Sequence, residues 1–311
     1  MPTADQQAPD APTLSADPAR CPFCGGRAQP AFDAVDRNRE ISLQRFRYRR
    51  CTACATLSLV DVPQDLGRFY PQAYYVLPQA HELEQIARGE AHKVALIGRH
   101  VPGGRLVEIG PGTGGFAHAA QRAGFDVTAI EMDERAASHL RDGAGIEVVH
   151  SDDPAAALAR LPPSRAIALW HVIEHLPDAA GVVDAIAANL EPGGVLALAT
   201  PNPEALQARL LGARWAHVDA PRHLFLIALA ALTERAAAAG LRRVAAFTSD
   251  PSGRHWNLFG WESALRRRPA AGPAPRAVTL AAMALTLAMR PLEHRALRGA
   301  AYTALFVRQA P

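Results

Sequence analysis

Apolar and polar positions follow two rhythms along this chain, and the change between them repeats. From residue 105 onward, short runs rich in Val, Ile, Leu and Ala predict strands at RLVEIG (105–110), DVTAIE (126–131), IEVVH (146–150), AIALWHV (166–172), GVLALAT (194–200) and RRVAAFTS (242–249). Between them FAHAAQRAG, ERAASHLRDG, DAAGVVDAIAANL and LIALAALTERAAAAG are helical in composition. Most of them end at glycine, which tolerates the left-handed turn that closes a helix. Strand and helix in alternation predict an α/β fold, a doubly wound sheet with helices on both faces, over residues 101–250.

The flanks read differently. Residues 1–19 carry almost no large apolar side chain and are expected to form a disordered tail. Within 20–60, ISLQRFRYRR (41–50) alternates like a half-exposed strand, so this segment predicts a small β-rich unit. Residues 61–100 read as a linker and a helix over 81–100, with apolar positions at Leu83, Ile86, Val94 and Ile97 and with Gly89 as its weak point. Residues 251–311 read as a helical insertion ahead of a final strand at AYTALFVRQ (301–309), with a Pro/Ala loop from Pro269 to Pro275. The uncharged run AVTLAAMALTLAM (277–289) is shorter than the ~20 residues that cross a bilayer. It is expected to be a buried helix, with a partner or membrane-surface contact as the alternative.

Length and charge narrow the classes. A chain of 311 residues is long enough for one large domain plus a small one. A net charge of +3 argues against a dedicated nucleic-acid binder. No basic stretch followed by an apolar run opens the chain, so a cytoplasmic location is the default, with peripheral contact at the inner membrane face through 277–289 as its variant.

The cysteines come as Cys21-Pro-Phe-Cys24 and Cys51-Thr-Ala-Cys54, two C-x-x-C pairs separated by 26 residues. That spacing suits two knuckles giving four thiolates to one tetrahedral Zn2+, a structural ion because no position remains for water. A redox C-x-x-C would need only one pair, beside a βαβ unit. A zinc ribbon with RFRYRR close by leaves an RNA-binding or RNA-modifying protein as an alternative, although a solvated charged strand explains that run more simply.

The stretch RLVEIGPGTGGF satisfies the dinucleotide pattern G-x-G-x-x-G through Gly110, Gly112 and Gly115, after a strand and before a helix. Two residues speak against a pyrophosphate there. Pro111 has no N–H to offer, and Glu108 places negative charge at the strand end, where a cationic ligand is favoured. S-adenosylmethionine, an ammonium and a sulfonium without phosphate, fits better than NAD, and an NAD-dependent oxidoreductase on the same fold is the rival.

The run Glu108-Ile-Gly110-Pro111-Gly112-Thr113-Gly114 resembles the first motif, E/D-x-G-x-G-x-G, of class I S-adenosylmethionine-dependent methyltransferases. The resemblance continues at Glu131-Met132, at Ser151-Asp152-Asp153 and at LWHVIEHLPD, while Arg165-Ala166 departs from the Phe-Asp of many relatives. It implies the Rossmann-like seven-stranded sheet of that class. It also implies that Glu131, with Met132 beside it, accepts the ribose hydroxyls, that Asp152 or Asp153 lies near the adenine, and that Trp170 and His171 lie near the methionine part. RFYPQAYY, HVIEHLPD and RWAHVDAPRHLF look like bacterial methyltransferases that carry an N-terminal zinc module, in a broad group containing ubiquinone-biosynthesis-like enzymes and others of glycan and lipid pathways. The resemblance covers residues 20–250 and implies a small-molecule, sugar- or lipid-linked acceptor.

Methyl transfer to oxygen or carbon gains from a general base titrating near neutrality. His171, His175 and His223 are the candidates; His175 is the preferred base, with Glu174 orienting it or a ligand, and His223 is the second. Arg222 is a candidate partner for an anionic acceptor group, and Tyr74, Tyr75 and Trp215 are candidate pocket walls. Glu174, His175 and His223 could alternatively hold a divalent ion for a metal-assisted O-methyltransferase. No motif names the acceptor or the oligomeric state.

Overall fold

The structure is a computed structural model and describes residues 14, 17–70, 76–266 and 272–310. Five parallel strands form the centre of the main sheet: β4 (Gly104–Ile109), β5 (Phe125–Glu131), β6 (Glu147–His150), β7 (Ser164–Trp170) and β8 (Leu190–Pro201). Ahead of them stand β1 (Ala28–Ala34), β2 (Phe46–Cys51) and β3 (Leu57–Leu59), and after them β9 (Phe225–Leu226), β10 (Leu241–Phe247) and β11 (Ala301–Arg308). The seven-stranded sheet runs β10-β11-β8-β7-β4-β5-β6, with β11 antiparallel to both neighbours. β4 lies between β5 and β7, so chain order reverses at β4, and a crevice opens at the carboxyl ends of these strands.

The helices are α1 (Ala80–Gly98), α2 (Gly115–Arg122), α3 (Glu134–Ala144), α4 (Pro154–Arg160), α5 (Ala179–Asn189), α6 (Leu206–Leu211), α7 (Leu229–Ala238), α8 (Pro251–Leu265) and α9 (Arg276–His294). Two cores flank the sheet, one built on Leu106, Ala129, Ala166 and Ala197, the other on Val107, Ile130, Ile167 and Leu198. Neighbours along each strand thus go to opposite faces, as the strand period requires. The inner strands β4, β5, β7 and β8 are buried on both sides, which explains their unbroken apolar runs, whereas β6 forms the exposed edge of the sheet.

α1 is the helix expected over 81–100, and it runs unbroken through its weak point at Gly89. An added Cβ at Gly89 would meet nothing within 4 Å, so this glycine costs only helix propensity, and packing against α2 outweighs it.

The insertion before the last strand is present as α8 and α9, but α9 is not the buried helix expected over 277–289. Of its residues only Ala282 and Glu293 are buried, while Leu280 is 66% and Leu287 69% exposed. The run lacks charge, yet one narrow stripe contacting α8 suffices to hold it. No helix among the described residues is long and apolar enough to cross a membrane.

The N-terminal sheet runs β1-β2-β3-β9, and its last strand comes from beyond the central sheet. Ser58 pairs with Phe225, and Leu59 N–H donates to Leu224 O at 2.8 Å. On β2, Phe46 and Tyr48 point inward, while Arg47 points out to pair with Asp61.

Candidate active site

The glycine turn sits at the end of β4. Gly110 has φ +67°, and a Cβ there would lie 2.6 Å from a methyl of Val172; Gly114 has φ +83°, and a Cβ would lie 2.1 Å from Leu140. Both positions therefore demand glycine twice over, for backbone handedness and for space. Pro111 and Gly112 are buried and Thr113 half-buried in the same turn.

Glu108 is 2% exposed, its Oε2 has no hydrogen-bond partner, and burial pushes its carboxyl up to about 8 against the pull of Lys93. A buried carboxyl with one oxygen lacking a donor is suited to a cationic ligand. Glu131 ends β5 with its carboxylate held by Gly112 N–H (3.2 Å) and Asp133 N–H (2.9 Å), although burial raises its pKa. Met132 beside it is exposed and gives its carbonyl to His150. Asp153 caps α4 by accepting from Ala156 N–H at 2.9 Å, which leaves the exposed Asp152 as the carboxylate not used by a helix.

β7 ends at Trp170, whose ring meets Phe116 at 5.2 Å and the Lys93 ammonium at 4.6 Å. His171 follows with φ +59°, a conformation rare for a residue with a side chain, fixed by its N–H donating to Ala199 O. The chain then makes the short 3-10 turn Ile173–His175.

Glu174 is fully buried. Its Oε2 accepts from Thr200 Oγ1 at 3.0 Å and its Oε1 faces His171 Nδ1 at 3.4 Å. Burial pushes this carboxyl up, but His171 and the imidazoles of His223 and His175 outweigh it and hold it at about 2. Glu174 does not orient His175, as the sequence suggested it could. His175 Nδ1 lies 2.9 Å from Arg222 O and 3.0 Å from the Tyr70 hydroxyl.

A backbone carbonyl only accepts, so that Nδ1 carries the proton and the Nε2 lone pair is free. His223 repeats the arrangement, with Nδ1 2.8 Å from His217 O. The two rings are 4.7 Å apart, and one ligand atom each from Glu174, His175 and His223 lies within 4.8 Å of the others. Burial and His223 push the His175 imidazole down to about 4, below the near-neutral range the sequence led us to expect of the base, so it is neutral at pH 7. The cluster thus gathers lone pairs and one carboxylate.

Two sequence candidates turn inward. Arg222 is 0% exposed, with its guanidinium paired to Asp36 (2.7 Å) and Asp219 (2.7 and 2.9 Å) and bonded to Phe69 O (3.4 Å), so its charge is already matched inside the protein. Trp215 is 2% exposed and donates Nε1–H to Gln207, so it is core rather than pocket wall. Tyr74 and Tyr75 lie outside the described residues. Sequence reasoning missed Tyr70, Lys93 and Thr200, and also Trp256, whose ring stands 4.6 Å from His171 and walls the site from α8. Only Tyr70 had a signal, in RFYPQAYY; partners from distant segments leave none.

The four cysteine sulfurs lie within 4.8 Å of one another, with Cys21–Cys54 at 3.9 Å and Cys24–Cys51 at 3.5 Å. A tetrahedral zinc with Zn–S near 2.3 Å places its sulfurs about 3.8 Å apart, so the cluster fits a zinc module and not disulfides.

Comparison with known proteins bears on the family and the fold. Residues 80–246 match the family described as methyltransferase domain. The ubiquinone biosynthesis O-methyltransferase of Stutzerimonas stutzeri is 27% identical over 168 residues, 51% of this chain and 72% of that protein. The protein of the same name from Aeromonas salmonicida is 30% identical over 165 residues, 50% of this chain and 67% of that one. A methyltransferase structure from Galdieria sulphuraria superposes with a TM-score of 0.50 at 18% identity, covering 79% of this chain and 98% of that one, which supports the fold.

Proposed function

The chain belongs to the methyltransferase domain family and is an S-adenosylmethionine-dependent methyltransferase, and on that premise we propose that it methylates a hydroxyl oxygen of a small-molecule acceptor, with His175 as general base. The hydride-transfer rival falls with the premise. The observation that carries the reading is the pair of imidazoles whose Nδ1–H groups are committed to the carbonyls of Arg222 and His217, leaving each ring's Nε2 to face a ligand at the carboxyl edge of the sheet. Glu108 and Lys93 border the glycine turn, where the methionine part of the cofactor would lie, and Glu131 would take the ribose. The acceptor hydroxyl would stand between the methyl group and His175 Nε2, giving up its proton as oxygen attacks in line.

The curated relatives act in ubiquinone biosynthesis by name, so phenolic and catechol precursors head the acceptor screen, followed by glycan and lipid precursors. With a turned-over acceptor in hand, His175→Ala is expected to lower kcat by roughly 10²-fold or more and to leave S-adenosylhomocysteine affinity unchanged in calorimetry. Unaltered kcat would remove His175 from the chemistry.

A second reading is favoured by the convergence of Glu174, His175 and His223 within 4.8 Å. One carboxylate and two imidazoles, each ring fixed through Nδ1–H, form a donor set for a zinc-like divalent ion, which would polarise the acceptor oxygen. Ligand atoms around tetrahedral zinc lie about 3.4 Å apart, so the side chains would have to close in. Activity lost to a chelator and restored by added metal, while the cysteine-bound ion stays in place, would favour this reading over the free base. We further propose a structural Zn2+ in the cysteine cluster, to be counted by metal analysis of the purified chain.

A further inference from the structure

Charge is segregated in this protein. Residues 251–300 contain eight arginines and two glutamates, a net charge of +6, whereas the whole chain carries +3. Of the two glutamates, Glu293 is buried, with Oε1 accepting from Trp261 Nε1 at 2.7 Å and Gln207 Nε2 at 3.1 Å, and Glu262 accepts from Thr279. Surface charge on this insertion is therefore almost purely cationic.

The same insertion exposes an apolar helix face. α9 spans about 28 Å at 1.5 Å per residue, and its contact stripe against α8 passes through Ala282 and Glu293. The opposite side presents Leu280, Met283 and Leu287, each more than half exposed, with alanines beside them. Isolated exposed leucines are ordinary, but one unbroken face of them on a helix marks a contact surface. Arg276 stands at its start, Arg290 at its edge, and Arg295 and Arg298 follow its end, all exposed.

We propose that α9 lies in the plane of an anionic lipid surface, its leucines and Met283 entering the acyl boundary and the arginines meeting lipid phosphates. An apolar face with a cationic rim and no spanning length has the chemistry of an interfacial helix. Charge complementarity decides between occupants: a second copy would bring Arg276, Arg290, Arg295 and Arg298 against their own kind, whereas anionic headgroups neutralise them. The placement also has a use, because α9 rests on α8 and α8 supplies Trp256 to the site. The membrane would lie one helix behind the acceptor wall.

The test is co-sedimentation of the full chain with vesicles of phosphatidylcholine alone and of phosphatidylcholine with phosphatidylglycerol. Binding to the mixed vesicles only, weakened by salt and reduced at least ~10-fold in the Leu280→Glu/Leu287→Glu variant, is expected. Both replaced side chains are exposed, and an unchanged melting temperature and S-adenosylhomocysteine affinity would show that the fold survives. No binding by the unaltered chain, or equal binding by the variant, overturns the proposal. So does a dimer in light scattering that the same variant dissolves, since the face would then be covered by a second copy.

Discussion

Glu108 and Glu131 end neighbouring strands, yet they differ in what each can reach. Glu131 has two backbone amides within hydrogen-bond distance, whereas Glu108 Oε2 has none. Removing the Glu131 carboxylate is expected to weaken cofactor binding by roughly 1–3 kcal/mol, read by calorimetry on Glu131→Ala. Unchanged affinity would take Glu131 out of the ribose site. Glu108, raised to about 8 by burial, must lose a proton to meet a sulfonium and an ammonium. S-adenosylmethionine affinity is therefore expected to rise from pH 6 to pH 9 and level off above it, and Glu108→Gln should flatten that slope; a profile falling with pH would contradict the placement. At this scale the sequence shows residue types and withholds partners. Arg222 in APRHLF has the chemistry of an anion receptor, and only Asp36, almost two hundred residues earlier, reveals that it is already engaged.

Elements were the most legible level. The strands and helices of 101–250 stand close to where periodicity and glycine stops put them, because fully buried parallel strands leave continuous apolar runs. The cysteine knuckles were equally readable, since ligand spacing is local. α9 was misjudged because an uncharged run can be hidden in a core or displayed, and the sequence of a helix does not say which face finds a neighbour. The knuckles are tied to the site through β2, where the Tyr48 hydroxyl donates to His223 O at 2.7 Å. Cys51→Ser at the end of that strand is expected to abolish binding of the proposed zinc and lower turnover about tenfold, a loss of ~1.4 kcal/mol, while cofactor affinity changes less. Full activity in a metal-free variant would separate the module from the chemistry.

For the whole molecule, the N-terminal unit and the sheet domain are interlocked rather than strung together. β9 completes the small sheet, and Arg222 binds Asp36 from one unit and Asp219 from the other. Arg222→Met removes the cationic partner of the buried Asp36 and the half-buried Asp219 and is expected to cost ~3–5 kcal/mol of stability, seen as a drop in melting temperature; a shift within error would mean that the pair contributes little. No local pattern could announce this link, because its halves are far apart in the chain. During synthesis the distance becomes a delay. About 165 residues separate β3 from β9, so at ~5–20 residues per second the nascent small sheet waits roughly 10–30 s for its fourth strand. The knuckles need only residues 21–54. A metal captured early would hold the unit through that interval, and ribosome-stalled chains ending before Phe225 should resist protease with zinc supplied and yield to it without.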